Sequence, residues 1–236
     1  MDKGAAEYFA TNFPLSNAGQ RAESEVISQK IDENQGGFYN LDAPGGTGKT
    51  LLNNVILLYM RKDNHVAIAI DALGIAGTLL KLGTTSHSWF AFNIPIFEDS
   101  VCSIQLNSKR AEVIKSAKVM ILDKITMLHR CNLGALDRFF KILMMNGDIF
   151  GGKLIIVFGD FRQILPVVPR GRRPHIVAAA VKSSKLWNQC TTIRLTENMR
   201  VEILISLNPT VDNQIRLKTF ADWILQIGEG TSPTVN

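Results

Sequence analysis

Short apolar runs of strand length alternate with longer stretches of helical pattern from Phe38 onward. Strands are predicted over residues 38–41, 66–70, 119–122, 154–158 and 192–195. Apolar runs of this length, separated by helices, indicate successive βαβ units whose strands form a parallel sheet. The pattern therefore predicts an α/β fold with a mostly parallel sheet, helices on both faces and no internal repeat.

Helices are predicted between these strands and at both ends of the chain. The intervals with helical pattern cover residues 48–62, 75–82, 133–145 and 212–227. In the last of these, Ile215, Phe220, Trp223, Ile224 and Ile227 lie roughly on one face. Residues 92–108 and 160–175 break the pattern and are predicted as long loops, which in compact domains are usually functional or disordered.

The length of 236 residues limits the number of domains. A chain of this size can bury one sizeable core, but two full α/β domains do not fit into it. We divide it into a helical segment over 1–35, an α/β domain over 36–228 and a tail over 229–236. The tail is expected to be the point where a further domain is cut off.

Charge, cysteine content and the length of the apolar runs limit the partners and the compartment expected for the protein. The excess of Lys and Arg over Asp and Glu gives a net charge of +5, which mildly favours a polyanionic partner. Cys102, Cys131 and Cys190 are odd in number and widely spaced, so we predict neither a disulfide partner nor a structural zinc site. The apolar runs are too short to span a membrane and no signal-like segment opens the chain, so an intracellular, soluble protein without membrane contact is expected.

A glycine-rich loop stands between the first predicted strand and the helix after it. It reads Ala43-Pro44-Gly45-Gly46-Thr47-Gly48-Lys49-Thr50, which matches GxxxxGK[ST] except that Ala43 replaces the first glycine. Strand, loop and helix N-terminus in this order surround phosphate oxygens with backbone N–H groups. The predicted nucleotide-binding residues are Gly45, Gly46, Thr47, Gly48, Lys49 and Thr50, with Lys49 on the β and γ phosphates and the Thr50 hydroxyl on Mg²⁺. The alternative is a glycine-rich turn that binds no ligand.

A second candidate for the metal site is the carboxylate that ends the third predicted strand. Asp123 follows four apolar residues, and a P-loop NTPase needs an Asp at the end of a buried strand to position Mg²⁺. Taken alone, such a string also fits a strand that simply ends in a turn. After a glycine-rich phosphate loop, the Mg²⁺ role is favoured.

Further motifs follow in a fixed order along the chain. They are Phe150-Gly151-Gly152-Lys153, Gly159-Asp160-Phe161-Arg162-Gln163-Ile164-Leu165-Pro166-Val167, Leu195-Thr196-Glu197-Asn198-Met199-Arg200 and Phe220-Ala221-Asp222-Trp223. With them the chain closely resembles the petite-integration-frequency (Pif-type) DNA helicases, including those of Helitron transposons, over residues 15–230. The resemblance implies a RecA-like P-loop NTPase domain, the first of two motor domains of an ATP-dependent DNA helicase that uses ATP and Mg²⁺.

The resemblance also implies roles for single residues of the nucleotide site. The catalytic set would be Lys49, Asp123, Gln163 and Arg200, in which Gln163 senses the γ-phosphate and Arg200 faces it. Gln20 would read the adenine, although a polar surface residue is the alternative. For Arg200 the alternative is a surface arginine at a helix cap.

Lys124 departs from the helicase pattern at the position that follows the metal-binding Asp. Helicase-type ATPases carry there a Glu that polarises the attacking water. An ammonium at neutral pH has no lone pair to accept a proton, since the reference pKa of Lys is about 10.4. We therefore expect Lys124 to impair hydrolysis rather than binding, and to pair with Asp123 or with a phosphate.

Single-stranded DNA is the partner that the resemblance implies. The resemblance points to Gly74, Ile75, Thr85 and His87, and residue type adds Phe161 and Arg162. The basic loop that holds Arg162, Arg170, Arg172 and Arg173 fits phosphate tracking, and a solvated arginine-rich loop is the alternative. Phe161 and Trp89 fit base stacking, whereas packing in the core is the more common position of a large aromatic ring. His87 fits equally a partly buried, hydrogen-bonded histidine.

The function expected from all of this is ATP hydrolysis coupled to movement along single-stranded DNA, by a monomer that lacks its second motor domain. Two alternatives remain: a relic that binds nucleotide or single-stranded DNA without hydrolysis, and a non-functional transposon remnant. The resemblance further implies work in DNA repair, recombination and telomere maintenance, and it favours the nucleus over the mitochondrion.

Overall fold

A computed structural model describes residues 17–62, 65–72 and 84–232. Its strands are β1 (Gly37–Asp42), β2 (Val66–Asp71), β3 (Thr84–Thr85), β4 (Ala117–Asp123), β5 (Leu154–Gly159) and β6 (Thr191–Arg194). They form one sheet in the order β3-β2-β4-β5-β1-β6, and every pair in it is parallel. The five predicted strands are confirmed to within two residues at each end, and the short β3 is an addition.

The described helices are α1 (Ala18–Asp32), α2 (Lys49–Lys62), α3 (Ser86–Phe90), α4 (Lys109–Ser116), α5 (Arg130–Met144), α6 (Arg173–Ala179), α7 (Met199–Leu207) and α8 (Val211–Glu229). The predicted helices at 48–62, 133–145 and 212–227 are confirmed as α2, α5 and α8. The helix predicted at 75–82 lies outside the described residues. Helices α3, α4, α6 and α7 were not predicted, because they are short or their sequences carry no regular apolar face.

The sheet separates two apolar cores. Along β5, Leu154, Ile156 and Phe158 pack on the side of α1 and α2, and Ile155 and Val157 pack on the side of α5. Side chains of successive strand residues point to opposite faces, so a strand covered on both sides reads as a continuous apolar run. The uninterrupted runs of the sequence therefore come from burial on both faces.

The second core is rich in phenylalanine. Phe90, Phe139, Phe140 and Phe150 are all buried, with centroids of neighbouring rings 5.9 to 6.4 Å apart in edge-to-face arrangements. Burial of aromatic rings in this arrangement contributes strongly to core stability. This core fixes α5 against the sheet, and with it the strand ends that carry polar residues.

Helix α8 has the apolar face that the sequence predicts, and that face is exposed. Ile215, Phe220, Trp223, Ile224 and Ile227 are each 50 to 60% exposed. None of the described helices is long and apolar enough to cross a bilayer. Cys102, Cys131 and Cys190 are free thiols, and burial raises the pKa of Cys102 and Cys190 to about 12.

Candidate nucleotide-binding cleft

Polar residues gather at the carboxyl ends of the four central strands. Asp71 ends β2, Asp123 ends β4, Asp160 follows β5, and the glycine-rich loop follows β1. In open parallel sheets ligands bind outside this edge of the sheet. A cleft of about 740 Å³ opens there and is lined by loop residues and by Asp123, Asp160, Gln163 and Arg200.

The glycine-rich loop needs glycine at two positions because of its backbone and its close neighbours. Gly46 and Gly48 have φ of +91° and +81°, where a side chain is strained. A Cβ at Gly46 would lie 2.4 Å from Oδ1 of Asn198, and one at Gly48 would lie 2.4 Å from Nε2 of Gln20. The loop is therefore enclosed between α1 and the segment that opens α7.

Hydrogen bonds from both neighbours hold the loop. Gln20 Nε2 donates to the carbonyl of Thr47 at 2.7 Å, and the backbone N–H of Arg200 donates to the carbonyl of Gly46 at 3.1 Å. Within the loop, the Thr47 hydroxyl donates to the carbonyl of Pro44 at 2.9 Å. The loop is thus fixed by contacts to α1 and α7 that lie far from it in sequence.

Gln20 is placed as part of this support. Its side chain is 1% exposed, and its Oε1 accepts from the backbone N–H of Asn17 at 3.1 Å in a capping box at the start of α1. Both ends of the amide are engaged by protein groups. These contacts support a role in holding the loop, and the adenine-reading role stays a prediction.

Lys49 folds back over the loop that carries it. Its Nζ donates to the carbonyls of Ala43 and, at 3.2 Å, of Pro44. Burial lowers the pKa of Lys49, and the carboxylates of Asp160, Asp123 and Asp42 oppose that effect. The Lys49 ammonium therefore lies at the cleft on oxygen acceptors of its own loop.

We call the carboxyl ends of the neighbouring strands β2 and β4, which carry Asp71 and Asp123, the acidic edge. Asp71 and Asp123 are paired in register there, and Lys124 Nζ lies 3.3 Å from Oδ2 of Asp71. The backbone N–H of Lys124 donates to Oδ1 of Asp123 at 2.7 Å. The ion pair of Lys124 is thus formed with Asp71 rather than with Asp123, and a contact of Lys124 with a phosphate stays a prediction.

Asp123 stands in an environment that favours a cation. Burial raises the pKa of this carboxyl, the Lys124 backbone N–H lowers it, and the charge of Asp71 raises it further. Asp123 lines the cleft together with Thr50. A desolvated carboxylate beside a second acid is stabilised by a nearby positive ion.

Gln163 and Arg162 follow β5 and belong to different networks. Gln163 lines the cleft, and its Nε2 donates to Oδ2 of Asp160 at 3.0 Å. Arg162 lies between three carboxylates: Asp42 and Asp160, both at 3.4 Å, and Glu229 at 2.9 Å. These ion pairs tie the end of α8 to the sheet, and contact of Arg162 with DNA stays a prediction.

Helix α7 forms the outer wall of the cleft. Arg200 lies on its first turn with an exposed side chain, and Met199, Ile203 and Leu204 add an apolar surface. Arg200 therefore faces the cleft across from Lys49 and Asp123. The structure brings Lys49, Thr50, Asp123, Gln163 and Arg200 into one cleft, and their catalytic roles stay predictions.

The residues predicted to touch DNA are scattered along the same edge. Thr85 caps α3 with its hydroxyl accepting from the Ser88 N–H at 3.2 Å, and exposed His87 packs edge-on against Phe92. Phe161 lies between the Trp187 ring and the ammonium of Lys182. Both contacts come from protein groups, and base stacking by Phe161 stays a prediction. Gly74 and Ile75 lie outside the described residues.

The remaining residues predicted to touch DNA, one tryptophan and three arginines, differ in their exposure. Trp89 is half-buried against the core, with Arg110 over its ring. Arg170, Arg172 and Arg173 are exposed on the loop before α6 and on its first turn. Packing thus accounts for Trp89, whereas the three arginines remain available to a phosphate backbone.

Sequence reasoning missed Asp71 and Asp160 as members of the cleft edge. Asp71 ends an apolar strand in the same way as Asp123, and this parallel was the available signal. Asp160 follows the apolar run of β5 at once. Both carboxylates are buried, and both contact a residue that the sequence singled out.

The fold and the cleft define a P-loop NTPase domain of the RecA-like type. A family model described as PIF1-like helicase matches residues 15–236, and the chain belongs to that family. Among curated relatives, the ATP-dependent DNA helicase Pif1 of Psychrobacter sp. is 34% identical over 136 residues, covering 56% of this chain and 20% of the relative. The ATP-dependent DNA helicase RRM3 of Saccharomyces cerevisiae is 29% identical over 184 residues, covering 75% of this chain and 25% of the relative.

Solved structures agree on the fold. Bacteroides Pif1 bound to single-stranded DNA superposes with a TM-score of 0.68 at 19% identity, covering 92% of this chain and 47% of that one. Candida albicans Pif1 gives a TM-score of 0.61 at 23% identity, covering 89% and 44%. The chain thus spans a fifth to a quarter of these curated relatives and under half of these solved chains.

Proposed function

We propose that this chain is the nucleotide-binding motor domain of a PIF1-type DNA helicase and that it binds ATP with Mg²⁺ in the cleft. The observation that carries this proposal is the convergence of Lys49, Thr50, Asp123, Gln163 and Arg200 on one cleft at the carboxyl edge of the sheet. Phosphoryl transfer needs groups of this kind: two cations, a planar amide and a carboxylate around a loop of backbone N–H groups.

The residues present fit a magnesium ion. Mg²⁺ prefers hard oxygen ligands and is usually held by one or two protein groups together with substrate phosphates and water. The Thr50 hydroxyl and the Asp123 carboxylate provide such oxygens, and both residues line the cleft. When bound, the ion would neutralise charge on the phosphates, and Thr50 and Asp123 would hold it.

Hydrolysis is the step in which this chain departs from the family. Attack on the γ-phosphorus needs a group that takes a proton from water as the bond to the bridging oxygen breaks, leaving ADP and phosphate. The resemblance assigns that group to position 124, where this chain has an ammonium in an ion pair. We propose that the cleft binds ATP and hydrolyses it slowly. The second candidate function is nucleotide binding without turnover.

Single-stranded DNA is the proposed macromolecular partner. Exposed His87 and the exposed arginines of the loop before α6 are the described residues that support it. In the family, closure between two motor domains moves the strand, so translocation by this chain requires a second domain. Action on nuclear DNA remains part of the same proposal.

Asp123→Asn tests the metal-dependent part of the proposal. With a fluorescent ATP analogue, wild type should bind more tightly when Mg²⁺ is added, and Asp123→Asn should lose most of that gain, about tenfold, because a neutral amide attracts the cation less. Asp148→Asn is the matched control, since Asp148 is exposed on a turn remote from the cleft. An Mg²⁺ response that survives in Asp123→Asn would contradict the assignment.

Gln20→Ala separates loop support from adenine recognition. Loss of the bond to Thr47 should weaken ATP and GTP analogues by the same factor, about 3- to 10-fold, because the loop that both nucleotides use loses a support. Gln29→Ala, an exposed glutamine on the same helix, should leave both affinities unchanged. Selective weakening of ATP over GTP would instead establish Gln20 as the adenine reader.

A further inference from the structure

The acidic edge of the cleft carries a charge arrangement that the proposed function does not explain. Asp71 is 1% exposed, and Lys124 covers it with a side chain that is 31% exposed. A buried carboxylate is stable when it is paired and hydrogen-bonded. Asp71 and Lys124 therefore depend on each other in a way that a surface ion pair does not.

The backbone at this edge places the two side chains together. Lys124 has φ of 55° and ψ of 38°, a left-handed conformation that few residues other than glycine adopt. The N–H of Ala72, directly after Asp71, donates to the carbonyl of Asp123 at 3.1 Å. Strand ends joined in this way keep Asp71, Asp123 and Lys124 in one fixed cluster.

Charge decides what position 124 can hold. Two carboxylates and one ammonium give the cluster a net charge of about −1, whereas a third carboxylate would place about −3 within a few ångströms in a mostly desolvated region. Like charges in such a region repel strongly, and the newly introduced side chain would turn away from β2. The residue at position 71 thus limits the chemistry available at position 124.

We propose that Asp71 is the positioning residue for Lys124, and that positions 71 and 124 form one matched unit. Restoring a water-activating carboxylate at position 124 requires the charge at position 71 to be removed as well. The hydrolysis part of this inference rests on the proposed function. The structural part, the mutual dependence of the two side chains, stands without it.

A double-mutant cycle tests the mutual dependence without nucleotide. Asp71→Asn and Lys124→Gln should each lower the unfolding temperature by more than about 5 °C, since each breaks the ion pair at a buried carboxylate. The double variant should unfold no lower than the worse single variant. Additive losses in the cycle would overturn the proposal, because they would show that the two side chains act independently.

Charge reversal gives a second measurement of the same unit. Lys124→Glu should unfold several degrees below wild type, and adding Asp71→Asn should recover most of that loss. Lys118→Glu, a reversal near the other end of β4, is the matched control and should cause little change. A Lys124→Glu variant as stable as wild type would contradict the proposal.

Phosphate release links the unit to the reaction. With Mg²⁺ and ATP, Lys124→Glu alone should gain no more than about twofold over wild type, and the combination with Asp71→Asn should gain at least about tenfold. An equal gain in the single variant would overturn the matched unit. Absence of ATP-analogue binding in every variant would overturn the proposed function instead, and the unfolding cycle would still decide the role of Asp71.

Discussion

Lys49→Ala is expected to weaken binding of an ATP analogue by about 10- to 100-fold, since hydrogen bonds from a charged donor contribute about 1.5–3 kcal/mol. Lys49 is half-buried, and its ammonium lies on loop carbonyls at the mouth of the proposed phosphate site. In the proposed complex a phosphate takes the place of those carbonyls as a charged acceptor. Alanine has no donor with which to bind it. The measurement is a fluorescence titration with Mg²⁺ at fixed ionic strength.

Lys153→Ala is the matched control for that experiment. Lys153 is also half-buried with a pKa lowered by burial, and its Nζ donates to the carbonyls of Lys115 at 2.5 Å and Ala117 at 2.7 Å. It precedes β5 and therefore lies at the opposite edge of the sheet. Its loss should leave the affinity unchanged. Similar weakening by both variants would show that general destabilisation, rather than a lost phosphate contact, explains the effect.

Phe140→Ala is expected to destabilise the protein by about 3–5 kcal/mol, because it removes a fully buried ring and leaves a cavity. Phe140 is 1% exposed and packs edge-to-face with Phe90, Phe139 and Phe150. For a chain of this size, the loss corresponds to an unfolding temperature about 6–20 °C lower. Thermal unfolding followed by circular dichroism measures it.

Ile142→Ala on the same helix provides the comparison for Phe140. Ile142 is 51% exposed, so the expected change is within about 0.5 kcal/mol. Alanine also has a higher helix propensity than isoleucine, which offsets part of any lost contact. Equal losses at the two positions would mean that α5 does not pack on the phenylalanine core as described.

The apolar runs and the spacing of glycines predicted much of the fold. Strand β5 and helix α2 are set by local pattern, and so is the loop between β1 and α2. The short helices α3 and α6 escaped prediction because caps and contacts, rather than periodicity, define them. Helix α3 packs against β2, a tertiary contact that no local window of sequence contains.

In the cleft, too, local motifs predicted some residues, whereas contacts between distant residues could not be predicted. Lys49, Thr50 and Asp123 follow from local motifs, since each lies at the end of a strand or the start of a helix. The partners of Arg162 did not follow, because Asp42 and Glu229 lie 120 and 67 residues away in sequence. The sequence suggested DNA contact for Arg162, and the structure surrounds it with carboxylates.

By itself, the sequence determined the α/β class, the parallel sheet, the glycine-rich loop between β1 and α2 and the family to which the chain belongs. Those features depend on short segments whose residue types restrict backbone and burial. Only the tertiary structure decided that Gln20 supports the loop, that α8 exposes its apolar face and that Lys124 pairs with Asp71. The physical reason is that neighbouring strands of a parallel sheet come from distant parts of the chain, so the charges that meet at its edge are set by strand order.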